Sequence, residues 1–178
     1  MTSSQAGSEG PPRIVLIAAL VLAVGAIGVF LAIAATRQAR LPPVAIAAAP
    51  APHAQDPACR ALLQALPPRL GDYRRVPVAP PEPEGTAAWL GRSDGEPVVL
   101  RCGLDRPPDF VVGSPIEVVD RVQWFRVRQG DRSTWYAVDR PVYVALTLPP
   151  GSGPTPIQVV SELIDLTMAA VPIRPGPT

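Results

Sequence analysis

Residues 97–104 read "PVVLRCGL". Alternation puts Val98, Leu100, Cys102 and Leu104 on one side of an extended segment, with Val99 and Arg101 on the other. That is the pattern of a strand with one face against a core, and it carries a cysteine on the core side. The one other cysteine of the chain, Cys59, lies upstream in "DPACRALLQALPP", residues 56–68. There Asp56 reads as a helix N-cap, Pro57 as the first helical residue and Pro67-Pro68 as the stop. Cys59, Leu62, Leu63 and Leu66 recur at helical spacing, so this cysteine too faces inward.

Downstream, "RVQWFRVRQGDRSTWYAVDR", residues 121–140, reads as a hairpin with Gly130-Asp131 in its turn. Its arms carry Trp124, Phe125, Trp135 and Tyr136. In "PVYVALTL", residues 141–148, Val142, Val144, Leu146 and Leu148 alternate with Tyr143, Ala145 and Thr147. Shorter strands are expected over Tyr73–Val78, Ala87–Leu90 and Ile116–Val119. After "PPGSG" a second helix is capped by Thr155, begins at Pro156 and is ended by Pro172. Ile157, Val160, Ile164, Met168 and Val171 line one of its faces, and Gln158, Ser161, Glu162 and Asp165 another. Helix, run of strands, helix predicts an α+β domain over residues 56–172, an antiparallel sheet covered by two helices. Residues 173–178 read as a flexible tail.

Upstream, residues 14–35 carry no charge for 22 positions, and thirteen of them are Leu, Ile, Val or Phe. At about 1.5 Å per residue this run reaches roughly 33 Å, which predicts a single transmembrane helix with the lipid bilayer as its partner. A cleaved signal peptide is the competing reading, since Ala32-Ile33-Ala34 matches the small-residue cleavage rule, yet the run exceeds the usual apolar region of about 7–15 residues. Residues 1–13 are then a cytoplasmic N-terminal tail, and residues 36–55, rich in Pro and Ala, a tether. Arg13 on one side against Arg37 and Arg40 on the other would place the later domain in the cytoplasm; the cysteines argue the reverse.

A metal site needs three or four clustered ligands. The single histidine, His53, lies in the expected tether and no CxxC occurs, so no metal and no cofactor is expected. A catalytic thiol wants an electropositive, partly exposed pocket and usually a histidine, whereas both cysteines face the core. Two separate buried thiols or a Cys59–Cys102 disulfide remain. The disulfide is the favoured reading, and it places the domain outside the cytoplasm.

Catalysis is not evident. No GxSxG, P-loop, GxGxxG or HExxH occurs. A triad would have to recruit His53, and a Ser-Lys dyad is impossible because every basic residue other than His53 is Arg. Carboxylate pairs, Glu82 with Glu84 and Asp94 with Glu96, leave an envelope hydrolase or transferase as the alternative function. The formal charge of +1 leaves no basic field for nucleic acid. Arg74, Arg75, Arg126 and Arg128 form a candidate basic face for an anionic envelope polymer, a lipid headgroup or an envelope protein; ordinary exposed arginines paired with acids would look the same.

The blocks "DPACRALLQALP", "AAWL", "VVLRCG", "QWF" and "RPVYVALTLP" resemble the actinobacterial membrane protein family known as Domain of Unknown Function 3515. The likeness covers most of residues 57–172 through Cys59, Trp89, Arg101, Cys102, Gly103, Trp124, Arg140 and Tyr143, and departs at Asp139, where the family pattern has Gly. Heavy use of Arg, Ala and Pro, with neither Lys nor Asn, fits a GC-rich genome of that kind. The resemblance implies a cell-envelope location and no catalytic residues. The whole reads as a membrane-anchored, single-pass extracytoplasmic protein that binds or scaffolds within the cell envelope.

Overall fold

The computed structural model describes residues 13–36, 41–91 and 95–177, with side chains of the first helix described over 14–29. The expected N-terminal tail, the flanking Arg37 and Arg40, and Asp94 lie outside the described residues. Two separate units result, the N-terminal helix and a domain that begins at Leu41.

Helix α1 spans Arg13–Thr36. The expected transmembrane architecture is corrected here: among the described residues, no helix is long and apolar enough to cross a membrane. What the chain does contain is an eight-stranded antiparallel sheet with three helices.

The strands are β1 (Arg69–Leu70), β2 (Tyr73–Val76), β3 (Thr86–Leu90), β4 (Val98–Leu104), β5 (Ile116–Val119), β6 (Val122–Gln129), β7 (Arg132–Ala137) and β8 (Tyr143–Leu148). Their order across the sheet is β1-β2-β3-β4-β8-β7-β6-β5. Two meanders therefore meet along a β4–β8 seam. The β6–β7 turn is the two-residue Gly130-Asp131 loop, with Gln129 opposite Arg132 and Gly130 at φ +61°, as a right-twisted hairpin requires.

Helices α2 (Pro57–Ala65) and α3 (Thr155–Thr167) pack on one sheet face. Cys59 and Leu62 from α2, Leu66 just after it, and Ile157, Val160 and Ile164 from α3 meet Val98, Leu100, Cys102, Trp124, Val144 and Leu146. Helix α3 stops at Thr167, five residues before Pro172, because Met168 turns extended and tucks its side chain into the core. Ser161, expected on the polar face, is fully buried and accepts a hydrogen bond of 3.0 Å from the Trp124 indole N–H. A buried indole needs such a partner.

The sulfurs of Cys59 and Cys102 are bonded, with Cα atoms 5.6 Å apart across 43 positions of sequence. The disulfide ties α2 to the centre of the sheet.

Two stretches expected to be loose are held. Residues 41–55 lie against the sheet rather than forming a tether: Val44 pairs with Val78, and Leu41, Val44 and Ile46 cover Val76, Ala88, Leu90 and Val99. At the C-terminus Gly176 pairs with Val111, donates to the Phe110 carbonyl at 2.8 Å and accepts from Val112 N–H at 3.0 Å. The cause is common to both. The face of the sheet away from α2 and α3 carries apolar residues, and these irregular segments cover them.

Candidate functional site

The open sheet face is built in rows. In an antiparallel ladder, residues directly opposite one another point to the same side. One row runs Thr86, Arg101, Ala145, Tyr136, Phe125 across β3, β4, β8, β7 and β6. The row two residues along runs Val99, Thr147, Thr134, Val127. Three of their four ends are apolar and covered: Val99 by the 41–46 segment, and Phe125 and Val127 within a cluster around Phe110 and Val138, while the Thr86 hydroxyl donates to the Pro83 carbonyl at 2.6 Å. Their centres are polar, and uncovered.

A groove of about 470 Å³ lies over those centres. Ala145 forms its floor, and small size there leaves space between Arg101 and Tyr136, which stand two strands apart, about 10 Å between Cα atoms. Thr134 and Thr147 close one end with their hydroxyls 3.1 Å apart. Ala49 and Pro50 from residues 41–55, a strap over the sheet, and Leu104 with the Asp105–Pro108 loop that follows it form the rim. The volume falls in the range of small-molecule sites, roughly 300–1,000 Å³.

Leu104 reaches that rim by a register change. Cys102 pairs with Val144 but Leu104 pairs with Tyr143, so two β4 residues span one step of β8. Such a bulge reverses the side-chain parity beyond it. Leu104 thus leaves the core side, where alternation had put it with Cys102, and joins the groove. Gly103 makes this possible at φ +88°, and a Cβ there would stand 2.2 Å from the backbone nitrogen of Ala54. Strap and bulge are in direct contact, joined by His53 N–H donating to the Gly103 carbonyl at 3.0 Å.

Arg101 is the centre of the groove's charge. Its Nη2 donates to the Ala47 carbonyl at 3.3 Å, while its Nε is buried with no hydrogen-bond partner. A buried donor left in that state costs about 1–3 kcal/mol. Burial pulls the guanidinium below its ordinary pKa, with Tyr136 acting in the opposite sense. Tyr136 is raised chiefly by its own burial; Arg101 draws it down and Asp109 pushes it up. Two further cations sit at the rim. Arg106 donates to the Phe110 carbonyl at 3.3 Å, and Arg132 pairs with Glu96 at 2.9 Å. Among the described residues lining the groove, Asp105 is the single carboxylate.

The four arginines expected to form one basic face do not share a face. Arg74 pairs opposite Leu90 on the open side, while Arg75, Arg126 and Arg128 lie opposite Trp89, Trp135 and Ser133 on the helix side. Strands β2 and β6 are five steps apart in the sheet, about 24 Å at ~4.8 Å per step. Arg75 lies over the Trp89 ring at 5.7 Å and donates to the Leu66 carbonyl; Arg126 lies over Trp135 at 4.8 Å and pairs with Glu117 at 2.8 Å. The expected carboxylate pairs fare similarly. Glu82 and Glu84 are exposed in the loop before β3, and Glu96 is held below the usual carboxylate range by its hydrogen bond from Arg132.

Sequence reasoning missed the groove, although Arg101, Ala145 and Thr147 sat on strand faces it assigned away from the core and Tyr136 in an arm of the hairpin it expected. The usable signal was an outward arginine, a tyrosine and threonines alternating with an alanine where exposed strands carry charge. Assembling it required the strand order.

Fold and site together define a disulfide-stapled α+β domain with a polar groove on the uncovered face of a single sheet. The family model described as "Protein of unknown function (DUF3515)" matches residues 20–173, and the chain belongs to that family. No curated protein and no solved structure matches it.

Proposed function

We propose that this protein is a non-catalytic binding module of the cell envelope, working outside the cytoplasm and holding a small ligand, or the end of a larger one, in the groove over β4, β8 and β7. The observation that carries this reading is the groove itself, open on the sheet face while every neighbouring apolar patch of that face is covered. The disulfide supports the location, since such bonds persist in oxidising compartments. Among the described residues, the groove's lining holds no pair of facing carboxylates of the kind an acid–base hydrolase uses.

The test is thermal unfolding of the full-length chain in the presence of soluble envelope fractions, in wild type and in Ala145→Leu, which fills the floor. A fraction that raises the wild-type midpoint and leaves Ala145→Leu unmoved supports the reading. Equal responses in the two proteins, or none in either, would sink it. Alkylating thiols in intact producing cells before and after reduction tests the location separately; reduced cysteines in the cell would remove the extracytoplasmic placement.

A further inference from the structure

We infer that the groove selects an oxyanion, a phosphate or carboxylate group carried by a small molecule, and that Arg101 is the residue that recognises it. This rests on the binding reading above and gives it a ligand class.

The recognition chemistry is on the page. Arg101 presents a guanidinium from the centre of the sheet, with one of its N–H donors buried and unpartnered. Guanidinium is planar and matches the two oxygens of a carboxylate or phosphate. Across the Ala145 floor stands the Tyr136 hydroxyl, and beside it the Thr134 and Thr147 hydroxyls, each able to donate to an anionic oxygen. The surrounding charge is mixed and, with Arg101 counted, balanced. Arg106 and Arg132 face Asp105, the Arg132 partner Glu96, and Asp109 beside Tyr136. Arg132 is engaged by Glu96 and Arg106 leans toward the Phe110 carbonyl. Among the described residues lining the groove, Arg101 is the arginine at its centre, with Nη2 on the Ala47 carbonyl and Nε unpartnered.

Three other cavities differ. Among the described residues, the one at Asp72, Tyr73, Gly91 and Glu96 is lined by acids without a cation, the one at Asp120 and Glu162 holds an Arg121 already paired with Asp165 at 2.8 Å, and the one at Tyr143 and Val171 holds an Arg140 engaged by Asp139 and Asp165.

The experiment is calorimetric titration of the full-length chain with sodium diphosphate and, separately, with citrate. Saturable binding is expected for at least one of them, weakened tenfold or more by Arg101→Gln and by Ala145→Leu, and unchanged by Arg128→Gln on the opposite face. Diphosphate alone binding assigns a phosphate ligand; citrate alone assigns a carboxylate; both together assign the oxyanion without further selection. Should Arg101→Gln fail to fold, as judged by its circular dichroism, Ala145→Leu and Tyr136→Phe carry the same comparison. Neither anion binding at 10 mM, on the order of the weakest affinities of specific sites, or binding indifferent to all these substitutions, overturns the inference. If the anions fail while an uncharged envelope component still binds in an Ala145-dependent way, the oxyanion falls and the binding reading stands.

Discussion

Arg140 is fully enclosed, and it is not alone. Its side chain meets Asp139 at 2.9 Å, Asp165 at 3.2 Å and the Arg121 carbonyl at 2.9 Å, while Arg121 closes the network on Asp165 at 2.8 Å. Three segments distant in sequence are thereby pinned: the turn before β6, the turn before β8, and the last turn of α3. Removing one partner of a buried ion pair leaves the other charged without solvent, at about 3–5 kcal/mol. Arg140→Met should lose that much stability in urea unfolding, and the double variant Asp139→Leu with Arg140→Met should lose clearly less. An equal loss in the two proteins would mean that packing, not charge, is what Arg140 supplies. Asp139 supplies the buried counter-ion in this network.

Among the elements, the strap over residues 41–55 is the least expected, and Gly103 is the position on which it depends. Gly103→Ala would bring a methyl group within 2.6 Å of three strap atoms at a left-handed φ of +88°, a strain worth about 1–3 kcal/mol. The expected result is a strap that peels away, seen as rapid proteolytic cleavage near residues 46–54, while the 56–168 portion resists. Uniform loss of protection across the domain would refute that division. Much at this scale was legible in the sequence. The Gly130-Asp131 hairpin, the β5 limits and the inward residues of β8 follow from turn chemistry and period-two alternation, which are local. What escaped were effects of contact. The bulge that redirects Leu104 is marked only by one glycine, β1 is two residues long, and α3 ends where Met168 finds a place in the core rather than at the next proline. The Pro/Ala stretch read as a tether because its composition lacks large apolar residues; Val44 and Ile46 suffice once a bare strip of sheet lies beside them.

For the molecule as a whole, the disulfide and the tyrosines make two measurable statements. Closing a loop of about 44 residues stabilises by roughly 4 kcal/mol in the chain-entropy model, so Cys59→Ala with Cys102→Ala should lower the denaturant midpoint by a corresponding amount without changing the far-ultraviolet spectrum. A change below about 1 kcal/mol would show that strain cancels the entropy term. All three tyrosines of the chain, Tyr73, Tyr136 and Tyr143, are raised above the ordinary 10.0, in each case chiefly by burial. A phenol raised in the folded state ionises first in the unfolded chain, so its contribution is intact below pH 10.0 and is lost as pH climbs through the folded values. Phenolate absorbance should therefore rise only above that pH, with stability falling over the same window. A tyrosine titrating at its ordinary value in the folded protein would contradict the burial seen here.

The seam between β4 and β8 joins residues about forty positions apart, whereas every other neighbouring pair of strands is consecutive in sequence. The disulfide loop encloses β1, β2 and β3 and ends on β4, entirely within the first meander. As the chain is made from its N-terminus, that meander can form before β8 exists. Arg101 belongs to it; Ala145, Thr147, Tyr136 and Thr134 belong to the second. Neither half holds the groove, so occupancy is a property of the finished molecule. Any ligand that spans Arg101 and Tyr136 acts as a late clasp, favouring completed chains over half-assembled ones and so marking them as ready for use.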